Sequence, residues 1–149
     1  MQILVELIDR WRSEGLVLLA PEIRSSVCEA FRSAGSHATS DVIALYAGLG
    51  GMEDMDKECW RLWPLEEVRA ESATHPHDRV LFSDYLMNCW CYRLKPNTDD
   101  TSSVLVDYFD GRQPTVVAST LGEFFEAYAA NATLLLDAQS LFHIGANNA

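Results

Sequence analysis

The apolar positions along the chain first follow a helical period, then a strand period, then a helical one again. Leu4, Ile8 and Trp11, with Ile3 and Val5, recur at helical spacing while Glu6, Asp9 and Arg10 lie toward the other side, and Gly15 stops the pattern. This predicts a first amphipathic helix. After Ala20-Pro21, a second is predicted from Ile23, Val27, Ala30, Phe31 and Ala34 on one face up to Gly35, with Pro21 in the first turn, where its missing N–H is not needed. Val42, Leu45, Tyr46 and Leu49 fall at i, i+3, i+4 and i+7 and predict a third, with Ser40 and Asp41 as its cap and Gly48, Gly50 and Gly51 as its stop.

From Cys59 the character changes. Val80-Leu81-Phe82 reads as a short strand after the polar stretch Glu71 to Arg79, Met87 to Leu94 is dense in aromatics and Cys, and Val104 to Phe109 is another β-favouring run. Asp110-Gly111 is a turn signal before Thr115-Val116-Val117-Ala118, and Arg112-Gln113-Pro114 makes that loop longer than two residues. Antiparallel hairpins are expected. Thr120 and Glu123 have capping-box spacing ahead of Leu121, Phe124, Phe125 and Tyr128, so a helix closes the sheet. The tail from Asn131, with Leu134, Leu135, Leu136, Leu141 and Phe142, reads as a further short docked helix. The predicted fold is α+β in one domain, with N-terminal helices in 1–51, a mainly antiparallel sheet in 59–118 and C-terminal helices in 120–144.

Composition narrows the function. The 149 residues carry 11 basic and 22 acidic side chains, a formal net charge of -11, and are 48% hydrophobic, enough for one sizeable core. Only Lys57 and Lys95 join nine Arg, with no basic run, which disfavours direct binding to nucleic acid or to an anionic membrane. A basic partner protein would be steered toward such a surface. The first residues lack the leading positive cluster of a signal peptide, and no apolar run is long enough to span a membrane, so a cytosolic protein with four reduced Cys is expected.

Candidate chemistry is sparse. Cys89-Trp90-Cys91 would put two thiols on one side of a strand, and with His75 or His77 they could in principle form a mixed Cys/His zinc site. That spacing is not the usual one for structural zinc, and a reduced core strand accounts for it, so no metal and no cofactor is assigned. Neither His75, His37 nor His143 has a context tying it to a Cys nucleophile, and Gly48-Leu49-Gly50-Gly51 follows a helix instead of leading from a strand into one. Glu53, Asp54, Asp56 and Glu58 crowd into six residues. Counted from Asp54, a calcium loop would need Gly at Cys59 and Glu at Leu65, so calcium fails. What remains is a solvated acidic loop or an anionic patch for a basic partner, and the flanking Trp60 and Trp63 are core residues or interface anchors. Asp99-Asp100, and Asp107 with Asp110, admit the same two readings. Glu66 and Glu67 point apart, so they do not act together on one atom and read as an acidic first helical turn.

From Ser40 to Tyr128 the order of these signals resembles the SUKH superfamily, which takes in fungal cell-wall regulators and many bacterial immunity proteins. The stretches that carry the resemblance are Asp41-Val42-Ile43-Ala44-Leu45-Tyr46 running to Gly50-Gly51, Leu62-Trp63-Pro64-Leu65-Glu66-Glu67-Val68, Phe82 and Asp84, the strands Cys89 to Leu94 and Val104 to Tyr108, and Val117 to Phe125. None of these motifs is catalytic. The resemblance implies a central antiparallel sheet with helices around it and, for bacterial members, a cytosolic antidote that neutralises a polymorphic toxin, often a nuclease, by stoichiometric binding. A fungal-type regulatory scaffold is the alternative, and a small thiol or metal enzyme using Cys89, Cys91 and His75 or His77 is the third reading. On charge, the expected contact residues are Glu53, Asp54, Asp56, Glu58, Trp60, Asp99 and Asp100, and the expected partner is a basic toxin protein.

Overall fold

The computed structural model describes residues 1–87 and 89–135. Helices α1 (Gln2–Ser13), α2 (Arg24–Ser33) and α3 (Ser40–Gly48) come first, then strand β1 (Trp60–Leu62), helix α4 (Leu65–Thr74), strands β2 (Val80–Tyr85), β3 (Trp90–Pro96), β4 (Ser102–Asp107) and β5 (Thr115–Ala118), and helix α5 (Leu121–Ala130) with a 3₁₀ turn over Ala132–Leu135. The five strands pair in chain order, each antiparallel to the next. The architecture is α+β with the helices packed around one sheet, as the patterning predicts. The tail residues Leu136, Leu141, Phe142 and His143 lie outside the described residues.

One face of the sheet makes the core. Trp60, Leu62, Tyr92, Leu94, Val104 and Val106 are all buried, and α1 and α5 close over them. Trp11 of α1 stacks on Trp60 with ring centroids 5.6 Å apart, and Phe124 of α5 meets the edges or faces of Trp60, Phe82 and Tyr92. Each such ring removed from water contributes about 1.5–3 kcal/mol, so this aromatic cluster is a major stabilising unit. In α1 the buried stripe is Leu4, Leu7, Ile8 and Trp11, a strict i, i+3, i+4, i+7 series. Val5, assigned to that stripe from sequence, is exposed, because at about 100° per residue it falls beyond the stripe's edge.

Three boundaries differ from the sequence reading. Helix α2 begins at Arg24, with Ile23 as an extended cap residue that is 68% exposed, so Pro21 lies outside it. The reason is a competing partner for the preceding backbone: Leu19 N–H donates to Gly51 O, Gly50 N–H to Leu19 O and Glu22 N–H to Tyr46 O, which holds residues 19–22 extended beside the α3 terminus. Gly50 does more than end a helix, since a Cβ there would sit 2.1 Å from the Ala20 carbonyl oxygen. The α3 cap residue is Thr39, not Ser40 or Asp41. Asp41 instead accepts from Thr39 Oγ1 at 2.5 Å, Ser102 N–H at 3.0 Å and Leu121 N–H at 3.4 Å, fastening α3 to the starts of β4 and α5. The third is Cys89, which precedes β3 in the exposed turn after β2, so it does not share a strand face with Cys91.

The α5 start keeps its predicted capping signal. Thr120 Oγ1 accepts from Glu123 N–H at 3.1 Å, while the Glu123 carboxylate reaches one residue past the cap, to Ser119 N–H at 3.0 Å.

Candidate functional site

The acidic loop is held from inside by one of its own carboxylates. Asp56 is 3% exposed and accepts from four donors: the Trp11 indole N–H at 2.8 Å, Glu58 N–H at 2.9 Å, Trp60 N–H at 3.1 Å and the Tyr128 hydroxyl. Burial pushes its carboxyl above the usual range, opposed by the Trp60, Trp11 and Glu58 donors. Asp56 is therefore an anchor for the loop and not a contact residue. Trp60, 1% exposed at the centre of the aromatic cluster, is likewise closed to a partner. Glu53, Asp54 and Glu58 are exposed.

Asp99 and Asp100 do not join them. Strand register places the 53–58 loop, the β2–β3 turn and the β4–β5 loop at one end of the sheet, and the β3–β4 hairpin carrying Asp99 and Asp100 at the other. There the Asp99 carboxylate accepts from Thr101 N–H and Oγ1, which hold its carboxyl below the usual range, and Asp100 receives Ser40 N–H and Oγ at the α3 N-terminus. Both positions serve the hairpin and the helix start. Asp107 and Asp110 also separate: buried Asp107 pairs with Arg93 at 2.8 Å, and exposed Asp110 with Arg112 at 2.6 Å.

The sheet face opposite the Trp60–Tyr92 side carries a second set of charges. Register aligns Arg61, Asp84, Cys91 and Asp107 in one cross-strand row, and Leu81, Arg93, Leu105 and Val116 in the next. Arg61 lies 2.5 Å from Glu67 of α4 and 3.4 Å from Asp84, and the Trp63 indole N–H donates to Asp84 at 2.8 Å. Arg93 also donates to the Arg79 carbonyl at 2.7 Å. Burial pushes the Asp84 carboxyl up, against Trp63 and Arg61, and pushes the Cys91 thiol up to about 12, with Asp84 adding to it and Arg93 opposing. At neutral pH that thiol is protonated and a poor nucleophile.

Two clefts lie side by side here, with the Arg61–Glu67 and Trp63–Asp84 contacts linking residues of one lining to residues of the other. One, of about 250 Å³, is lined by Trp63, Glu67, Glu71, Leu81, Cys91 and Phe109. The other, of about 270 Å³, is lined by Glu53, Asp54, Met55, Arg61, Asp84 and Met87. Met87 and Phe109 stand at their rims, 76% and 53% exposed. Asp84 in β2 and Arg93 in β3 were the available sequence signal for this face, but only register shows that they fall in adjacent rows of it.

Cys89 and the two His of the 75–77 segment lie at opposite ends of β2. His75 bonds Glu71 at 3.0 Å and His77 accepts from Arg79 N–H, both beside the start of β2, whereas Cys89 lies past its far end. Among the described residues no group of three or more His, Cys, Asp or Glu is placed to hold a metal ion, and no helix is long and apolar enough to cross a membrane. No family model matches the chain, and no curated protein matches it.

Proposed function

We propose that this chain is a protein-binding antidote of the bacterial immunity type, acting in the cytosol to occupy a basic toxin, a nuclease domain, one to one. The reading rests on the SUKH-like order of sequence signals together with one structural observation. The buried carboxyls of the sheet and the Cys91 thiol are engaged by the fold, while the surface charge left to solvent is dominated by carboxylates. Asp56, Asp84 and Asp107 each accept from several internal donors, and the Cys91 thiol is held protonated. Glu53, Asp54, Glu58 and Asp78, by contrast, face water. A nuclease cleft is built to attract phosphates, and a carboxylate surface competes for the same basic groups.

The test is to purify the tagged protein from its native cytosol at low salt, identify what elutes, and titrate it against the activity of the recovered partner. The expected result is a single basic, stoichiometric partner whose activity falls to zero at a one-to-one ratio, with an association rate that drops steeply as salt is added. Several unrelated partners bound weakly, without inhibition, would replace this reading with that of a regulatory scaffold. No partner at all would overturn it.

A further inference from the structure

Four elements converge at one end of the sheet, on the face away from the core: the 53–58 loop, helix α4, the β2–β3 turn and the β4–β5 loop. Leu86 and Met87 in the turn, and Phe109 in the loop, are exposed apolar residues. All three have left-handed backbone, with φ of 50°, 53° and 56°, a conformation that side chains with a Cβ seldom take and that points these residues outward from tight turns. A polar residue or Gly would serve such a turn better. Exposed apolar side chains are commonplace singly, as at Val5, Val17 and Ile23, but here Met87 and Phe109 each line one of two neighbouring clefts.

The walls of those clefts define the occupant. Glu53, Asp54 and Asp84 line one cleft, and Glu67 and Glu71 of α4 line its neighbour. The cation lining them, Arg61, is already shared by Glu67 and Asp84. Arg61 itself shows the slot holding a guanidinium between α4 and the sheet.

Resting on the protein-binding reading above, we propose that this groove is the docking surface, and that it receives an extended basic segment of the partner. Arg or Lys side chains of that segment meet Glu53 and Asp54, and its apolar side chains pack on Met87 and Phe109. A second copy of this chain is a poor occupant, because both surfaces would bring the same carboxylates. The opposite end of the sheet is also a poor one, since Asp99 and Asp100 are engaged by Thr101 and Ser40.

The test uses the full chain and a defined probe: a short, end-blocked peptide of alternating Arg and Leu, with a Glu-Leu peptide as control. Chemical-shift mapping is expected to show Arg-Leu perturbing the amides of Met87 and Phe109 and the Trp63 indole N–H, with the Glu-Leu peptide silent. Affinity is expected to fall at least about tenfold in Met87→Ser/Phe109→Ser. The Glu53→Gln/Asp54→Asn variant should flatten the salt dependence, and Asp99→Asn/Asp100→Asn should bind as the parent does. These side chains are exposed, and the far-ultraviolet circular dichroism of each variant checks that it folds. Shifts scattered over the whole surface, parental affinity in Met87→Ser/Phe109→Ser, or self-association lost in that variant would overturn the proposal. A natural partner that still binds Met87→Ser/Phe109→Ser at full strength would remove the groove while leaving the antidote reading intact.

Discussion

Trp11 donates its indole N–H to Asp56 Oδ2 at 2.8 Å, joining the first helix to a loop 45 residues later. The same carboxylate oxygen takes the Tyr128 hydroxyl from α5, and its partner oxygen takes the Glu58 and Trp60 amides. One buried acid thus fixes the loop against both helices that cover the core. In Asp56→Asn the amide oxygen can still serve the two backbone donors, but its NH₂ then faces an indole N–H that cannot accept. The expected loss is about 2–4 kcal/mol in urea unfolding. In a cycle with Trp11→Phe, the two changes should couple by about 1–2 kcal/mol, and additive losses would show that this bond does not hold the loop.

Two buried carboxyls give stability a predictable pH sign. Burial pushes Asp56 and Asp84 above the ordinary carboxylate value, so the folded chain binds their protons more tightly than the unfolded chain does. Their contribution is complete below the unfolded pKa and is lost as pH rises through the raised folded values. Unfolding free energies of the parent and of Asp84→Asn, measured from neutral pH down toward the unfolded value, should diverge, with the parent gaining on the variant as pH falls. A parent that loses ground to Asp84→Asn over that range would reverse the assignment.

How far the sequence foretells this molecule depends on whether a signal is local. The α1 stripe and the Thr120–Glu123 cap are set by neighbours within one or two helical turns, and both stand close to where periodicity puts them. The acidic loop misled for a physical reason. Composition shows four carboxylates in six residues, but whether one of them turns inward depends on Trp11 and Tyr128, which lie far away in sequence. Asp99 and Asp100 are exposed, as composition suggests, but the α3 start that Asp100 serves is brought to the hairpin only by folding. The Arg61–Asp84–Cys91–Asp107 row is a property of register, and register is fixed by the whole sheet.

Gly50 tests the crossing that displaced the α2 start. Its hydrogen lies where any Cβ would meet the Ala20 carbonyl oxygen at 2.1 Å, and both chains there are tied by the Leu19–Gly51 and Gly50–Leu19 bonds. Gly50→Ala is expected to cost at least about 3 kcal/mol, because backbone and not a side-chain tip must move. Gly111 is the contrast: its φ is +90° but nothing lies within 4 Å, so Gly111→Ala should cost about 1–2 kcal/mol from backbone conformation alone. Thermal unfolding separates them, with roughly 2–4 °C expected per kcal/mol for a chain of this size. Equal shifts would mean that residues 19–22 can move away.

Cysteine labelling decides whether thiol chemistry belongs to this protein. Cys91 is buried in β3 between Asp84 and Asp107, and its thiol is pushed up to about 12, which leaves on the order of one thiolate in 10⁵ at neutral pH. Cys89, two residues earlier, is exposed in the turn. Iodoacetamide applied to the native protein should therefore modify Cys89 readily and leave Cys91 untouched, as read by mass spectrometry of the separated peptides. Adding urea should bring in Cys91 along the same transition that circular dichroism follows, because only unfolding removes both the burial and the neighbouring carboxylates. Native labelling of Cys91 at the rate of Cys89 would mean an accessible, ionised thiol on the cleft floor. In that case a nucleophilic enzyme, and not an antidote, would be the reading to pursue.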